Sequence, residues 1–143
     1  MGENEYLVFK RIVVDAAHYI PGHPTCGSPH GHSYIIENLS VHTLDGKPFE
    51  LNEQGISVDF GDIKSIIKRY MDHVNIIPNE HWEQWRDFYK MMDFDVNRLT
   101  PVKHTSCEFL ARELKKKLQN KIGYRVHFRL FEGADDTTGG FQV

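Results

Sequence analysis

Between Ile20 and Gly31 the chain reads IPGHPTCGSPHG, with three prolines and three glycines in twelve residues. Neither a helix nor a central strand tolerates that density, because proline removes a backbone donor and glycine costs conformational entropy. This stretch is therefore a loop. The segment before it, Tyr6 to His18, is rich in Val, Ile, Phe and Tyr, and His32 to Leu44 returns to the same character. Both read as strands. Alternation puts Ile35, Leu39 and Val41 on one face of the second, and Asp45-Gly46 marks the turn that ends it.

Further on, the hydrophobic period changes. Residues 59–73, DFGDIKSIIKRYMDH, read as a helix with Asp59 as N-cap and a stripe of Phe60, Ile63, Ile66, Ile67, Tyr70 and Met71. A second helix fits 105–119, where Thr105 to Glu108 has capping-box spacing and Leu110, Leu114 and Leu118 share a face. Residues 124–132 read as a strand, with Tyr124, Val126, Phe128 and Leu130 alternating with Arg125, His127 and Arg129. A short strand follows near Phe141. The stretch 76–104 is less regular. Within it Trp82, Trp85, Phe88, Tyr89 and Met92 fall at helical spacing, which predicts an extra amphipathic helix after an Asn79 cap, its aromatic stripe a packing surface. Strands and helices are grouped rather than alternating, so the pattern predicts an α+β fold with an antiparallel sheet.

The chain's 143 residues suit one domain with a real core. A net charge of −3 argues against a general nucleic-acid binder. The basic run Lys115-Lys116-Lys117 suits the end of a helix. Two cysteines, Cys26 and Cys107, are too few for a disulfide-built secreted domain. No apolar run approaches the ~20 residues that span a bilayer. The start, MGENEYLVFK, lacks a signal pattern, and Tyr6 replaces the Ser or Thr of a myristoylation motif. The expectation is a cytoplasmic protein with free thiols, no membrane partner and no nucleic-acid partner.

The loop and its flanks carry the chemistry. His30 and His32 are spaced i, i+2, which puts both on one strand face, and His18 closes the preceding strand. If the strands pair, three imidazoles meet, a natural half-shell for Zn²⁺ with one position open. Spacing alone also allows scattered surface histidines, for the chain has nine, and His23 is a competing ligand. Cys26 is either a fourth ligand closing the site or a free thiol that becomes a base or nucleophile beside the metal. Cys107 reads as structural. Asp72-His73 could orient an imidazole for proton transfer, or simply be a solvated Asp and a His that complements the helix terminus. Glu132 continues the apolar phase of its strand. It could accept two bonds from a planar ring bearing N–H groups, or reach water.

Together these pieces resemble the 6-pyruvoyltetrahydropterin synthase/6-carboxytetrahydropterin synthase family. The matching motifs are DAAH at 15–18, CGSPHGHSY at 26–34, VDFGDIK at 58–64, DH at 72–73, TSCE at 105–108 and FE at 131–132. They come in the family's order and cover nearly the whole chain. The resemblance implies that His18, His30 and His32 bind zinc, that Cys26 is the catalytic proton acceptor, and that Asp72 and His73 are its proton-transfer partners. It implies that Glu132 anchors the pterin ring and that Thr105, Ser106 and Glu108 lie around the pterin pocket. It also implies a single tunnelling-fold domain over residues 1–143: a ββααββ unit with an antiparallel sheet and helices on one face. Such units join their sheets into an oligomeric barrel, a trimer or a hexamer, with active sites at subunit interfaces.

The family's substrate is 7,8-dihydroneopterin triphosphate. Three residues separate Cys26 from His30, which is similar to the 6-carboxytetrahydropterin synthases of queuosine and 7-deazaguanine synthesis. Those enzymes release 6-carboxytetrahydropterin, acetaldehyde and triphosphate. A pyruvoyl-forming synthase or another dihydroneopterin side-chain lyase is the neighbouring alternative, and a non-catalytic zinc-stabilised binding module is the alternative of another class. The chain departs from the family pattern at Lys103-His104-Thr105, where Asn-Pro-Thr is usual, and at Gly133, where Thr is common. The Leu-Asn that commonly follows Asp-His is displaced or lost, and residues 79–94 look like a helical insertion.

Overall fold

The computed structural model describes residues 5–143, so the Met-Gly start lies outside the described residues. Strands β1 (Tyr6–His18) and β2 (His30–His42) pair antiparallel, with His18 opposite His30 and Ala16 opposite His32. The Pro- and Gly-rich segment is the loop between them, and β2 begins two residues earlier than the sequence pattern suggests. The remaining elements are α1 (Phe60–Met71), β3 (Val74–Pro78), α2 (Trp82–Met91), β4 (Leu99–Val102), α3 (Cys107–Ile122), β5 (Arg125–Phe131) and β6 (Gly140–Gln142). They build an α+β fold whose six-stranded sheet has the order β4-β3-β1-β2-β5-β6.

The sheet is antiparallel through β1, β2, β5 and β6, but β3 runs parallel to β1, and β4 parallel to β3. A wholly antiparallel sheet is therefore corrected to a mixed one. The two parallel strands come from the stretch that reads as irregular. VNIIP and LTPV are too short for alternation to show, and all five residues of β3 are buried, which removes the polar face that signals a strand. A ββααββ frame of β1, β2, α1, α3, β5 and β6 thus carries β3, α2 and β4 between its helices.

Mid-strand, β2 changes face. Asn38 has a left-handed φ of 52°, and the pairing to β5 slips between Glu37 and Ser40. Tyr34 and Ile36 point into the main core before the irregularity, and Leu39 and Val41 after it. Ile35 lies on the opposite face, although unbroken alternation would have grouped it with Leu39 and Val41.

Helices α1 and α3 pack on one face of the sheet. Ile63, Ile67 and Met71 of α1 and Leu110, Leu114 and Leu118 of α3 share one core with Val14, Ile36, Val126, Phe128 and Leu130. Asp59 caps α1 by accepting from Gly61 N at 2.7 Å. Ser106, not Thr105, caps α3 by accepting from Phe109 N at 3.3 Å, which frees Thr105 for another task. Segment 79–94 starts as a 3-10 turn, Asn79–His81, so Asn79 is not the cap of α2. Trp82, Trp85 and Tyr89 of α2 pack on a second, smaller core of Tyr19, Ile77 and Leu99, while Phe88 and Met92 stay exposed.

Leu114 is fully buried between the helices and the sheet. Leu114→Ala should lower unfolding free energy by about 2–5 kcal/mol in denaturant titration, through lost burial and the cavity left behind. A loss under ~1 kcal/mol would mean that this core repacks freely.

Candidate active site

Two strand ends and a long loop set the geometry. The β1–β2 register brings His18 and His30 face to face, and His32 follows one step along the same face of β2. The ligand-capable atoms of His18, His30 and His32 all lie within 4.8 Å of one another, so the three are positioned to bind one metal ion. Backbone carbonyls orient two of the rings. His18 Nδ1 lies 2.8 Å from the Thr105 carbonyl, and His30 Nδ1 lies 2.8 Å from the Ser28 carbonyl. A carbonyl only accepts, so each Nδ1 carries the proton and each Nε2 of the neutral ring keeps a free lone pair. The Nε2 atoms of His18 and His32 are buried with no hydrogen-bond partner. Orphaned buried acceptors converging on one point are what a metal would satisfy.

His18 is 1% exposed. Burial holds its imidazole below the usual range, against the opposing pull of the Thr105 carbonyl and the Glu132 charge. That favours the neutral ring, which is the ligating form. Glu132 sits just past β5, at the open side of the cluster, with Oε2 3.8 Å from His32 Nε2. The Tyr34 ring packs edge-on to His18 and His32; its phenol is buried without a partner, and burial raises its pKa. Cys107 Sγ donates to the Leu130 carbonyl, and burial pushes its thiol up to about 12, so it is a core thiol rather than a nucleophile.

The other sequence candidates take separate places. Cys26 is a free, half-exposed thiol whose Sγ lies 3.8 Å from Thr25 Oγ1, and it stands outside the three-histidine group. His23 also stands outside it. Its Nδ1 accepts from Cys26 N at 2.9 Å and Thr25 N at 3.2 Å, which pins the turn that carries Cys26. Thr105 is 2% exposed and works through backbone and side chain together: its carbonyl holds His18 while its hydroxyl donates to the Tyr19 carbonyl at 2.5 Å. Ser106 is occupied as a helix cap, and Glu108 is exposed in the first turn of α3.

Asp72 and His73 lie beyond the end of α1, not inside it. His73 takes a left-handed φ of 54°, its Nδ1 lies 3.0 Å from Asp72 Oδ1, and its side chain is 74% exposed. The pair is docked on β1, where Asp15 N donates to Asp72 Oδ1 and His73 N donates to the Asp15 carbonyl. Asp15 in turn accepts from Ser33 Oγ across the β1–β2 pair. Sequence pattern alone assigns Asp15 no role. A carboxylate midway along an apolar strand was the available signal. It also missed Tyr19, whose hydroxyl lies 2.6 Å from His81 Nδ1 and accepts from Trp85 Nε1 at 2.8 Å. The aromatic helix is thereby tied to the residue that follows His18.

The family model described as 6-pyruvoyl tetrahydropterin synthase matches residues 7–138, and the chain belongs to that family. A relative from Methanocaldococcus jannaschii, named putative 6-carboxy-5,6,7,8-tetrahydropterin synthase, is 29% identical over 124 residues, which is 73% of this chain and 72% of that one. One of the same name from Archaeoglobus fulgidus is 37% identical over 65 residues, 46% of this chain and half the length of that relative. Among solved structures, an uncharacterised protein from Wolinella succinogenes superposes with a TM-score of 0.63 at 15% identity over 99% of both chains. The 6-pyruvoyltetrahydropterin synthase of Plasmodium vivax superposes with a TM-score of 0.57 at 16% identity, also over 99% of both. These neighbours share the tunnelling fold.

Burial pushes the Asp72 carboxyl up, but the bonds from Asp15 N and His73 outweigh it and leave the pKa below the usual 3.8. A lowered carboxylate pKa stabilises the fold above the ordinary value, and that contribution is lost as pH falls through the folded value. Asp72→Asn should therefore be less stable than the parent chain at neutral pH. The gap should close as pH drops below 3.8 in denaturation series. A gap that stays constant through this range would mean that the carboxylate charge contributes nothing.

Proposed function

We propose that this family member is a zinc-dependent 6-carboxy-5,6,7,8-tetrahydropterin synthase. In this reading 7,8-dihydroneopterin triphosphate and water give 6-carboxytetrahydropterin, acetaldehyde and triphosphate. The observation that carries it is the juxtaposition of three convergent imidazoles with Glu132, a metal half-shell and a ring anchor at one strand end. Three nitrogen donors and an open side suit zinc in a catalytic role. Cys26 standing outside the cluster favours that open arrangement over a closed structural site. The names of the archaeal relatives and the three-residue gap between Cys26 and His30 favour the carboxy product over the pyruvoyl one.

His18, His30 and His32 would hold the metal, whose chemistry is Lewis-acid polarisation of the substrate's side-chain hydroxyls. Glu132 holds the pterin by accepting from its ring N–H groups, two bonds side by side. Cys26, carried on the loop that His23 pins, removes a carbon-bound proton as thiolate. His73, oriented by Asp72, moves protons between intermediates. Thr105 keeps His18 in its ligating tautomer, and Ser106 and Glu108 line the pocket edge at the start of α3.

In the same reading residues 1–143 form one tunnelling-fold domain in which 79–94 is an insertion. The enzyme is a cytoplasmic homo-oligomer, trimer or hexamer, with its sites at subunit interfaces, and it serves 7-deazaguanine synthesis. Support for assembly comes from Val8 and Val13, exposed on the sheet face away from the helices. It also comes from the Asp72–His73 pair, which bonds to Asp15 rather than to the three-histidine group.

Incubating zinc-loaded protein with 7,8-dihydroneopterin triphosphate and weighing the product tests the reaction. The carboxy product with acetaldehyde is expected, and a pyruvoyl product would move the chain to the neighbouring activity. Cys26→Ala should lower turnover by about a hundredfold or more, the scale of a lost proton acceptor, with zinc content unchanged. Zinc lost in that variant would make Cys26 a ligand. Glu132→Gln should weaken binding of the unphosphorylated pterin about tenfold or more while zinc stays bound, because a charged acceptor pair becomes half donor. Unchanged pterin affinity would remove the anchor.

A further inference from the structure

A basin of about 830 Å³ opens along the outer face of α1 and ends at His73. Its cationic lining comes from two elements, Lys64, Lys68 and Arg69 of α1 and Arg98 from the turn before β4. Lys68 and Arg69 complement the C-terminal end of the helix dipole, but that explanation reaches neither Lys64, in mid-helix, nor Arg98, on another element. Lys64 and Lys68 are also i, i+4 neighbours, a like-charge spacing that costs an isolated helix stability. Among the described residues, none of Lys64, Lys68 and Arg69 has a carboxylate within 4.0 Å. Arg98 meets Asp95 at 4.0 Å, with both side chains more than half exposed. Asp72 is the carboxylate in the lining, and its Oδ1 is already taken by Asp15 N and His73 Nδ1.

His73 is shared between this basin and a second depression that runs over Asp15, Ala17, Gly31 and His32. A ligand lying along both would place an anionic end among four cations and its other end over the strands that carry the histidine cluster. We propose that the basin formed by Lys64, Lys68, Arg69 and Arg98 is a polyphosphate subsite that takes the triphosphate tail of the substrate, with His73 at the junction of tail and reacting carbons. The inference rests on the reading of the substrate as a pterin triphosphate. Arginine binds phosphate as a fork and lysine as a point charge, and a cleft of one sign draws a multiply charged anion in at distance.

The test uses the full chain freed of metal, so that direct ligation of metal by phosphate does not count. Inorganic triphosphate is titrated by calorimetry into the parent chain, the triple variant Lys64→Ala/Lys68→Ala/Arg98→Ala, and Lys116→Ala as a charge control on α3. The parent and the control should bind alike, and the triple variant about tenfold or more weaker, with affinity falling as salt rises. In zinc-loaded protein the triple variant should raise KM for the pterin triphosphate and leave the affinity for unphosphorylated 7,8-dihydroneopterin unchanged. Equal triphosphate binding by all three chains, or an equal loss in Lys116→Ala, would overturn the subsite. Triphosphate binding that depends on the basin, in a chain that does not turn over the pterin triphosphate, would sink the reaction reading and keep the anion site. Normal turnover with an unmoved KM in the triple variant would do the reverse.

Discussion

The hydrogen bond from His18 Nδ1 to the Thr105 carbonyl ties the site together. It joins the end of β1 to the entry of α3 across 87 residues of sequence, deep in the molecule. A buried imidazole is costly unless its polar atoms are used, and here one is used by the backbone and the other is left facing two more histidines. The same bond selects the tautomer, so the fold itself decides which nitrogen a metal would meet. Without it, the β1–β2 register would still bring three rings together, and the Ser28 carbonyl would still orient His30, but the buried His18 would lose the bond that turns its free lone pair toward the other two.

That bond is supported in turn by a chain of contacts. The Thr105 hydroxyl donates to the Tyr19 carbonyl, and the Tyr19 hydroxyl is held between His81 and Trp85. Tyr19 follows His18 directly, so the aromatic helix α2 braces the backbone on which the buried histidine is mounted. The pair Asp72–His73, just before β3, is likewise held on β1, through both the amide and the carbonyl of Asp15. Strand β1 therefore carries His18 of the three-histidine cluster at its end and, through Asp15, holds the Asp72–His73 pair.

Much of this was legible in the sequence because it depends on local periodicity. The loop density of Pro and Gly, the alternation in β1 and β5 and the stripes of α1 and α3 each specify an element over 16 residues or fewer. The meeting of His18, His30 and His32 follows from pairing two strands through that loop. The rest was hidden for physical reasons. Strands β3 and β4 are too short, and β3 too fully buried, to alternate. The face switch at Asn38 depends on a left-handed backbone that periodicity does not show. The work of Thr105 is done by a carbonyl that every residue possesses, so no residue type announces it. The displacement of the α3 cap from Thr105 to Ser106 is one residue in sequence, yet it is what releases that carbonyl to His18.

X-ray absorption of the zinc-loaded chain addresses the central claim most directly. Three imidazole nitrogens at about 2.0–2.1 Å, completed by oxygen and with no sulfur, are the result this geometry requires. A scattering shell at about 2.3 Å, the distance of a zinc–thiolate bond, would put Cys26 on the metal and contradict an open three-histidine site.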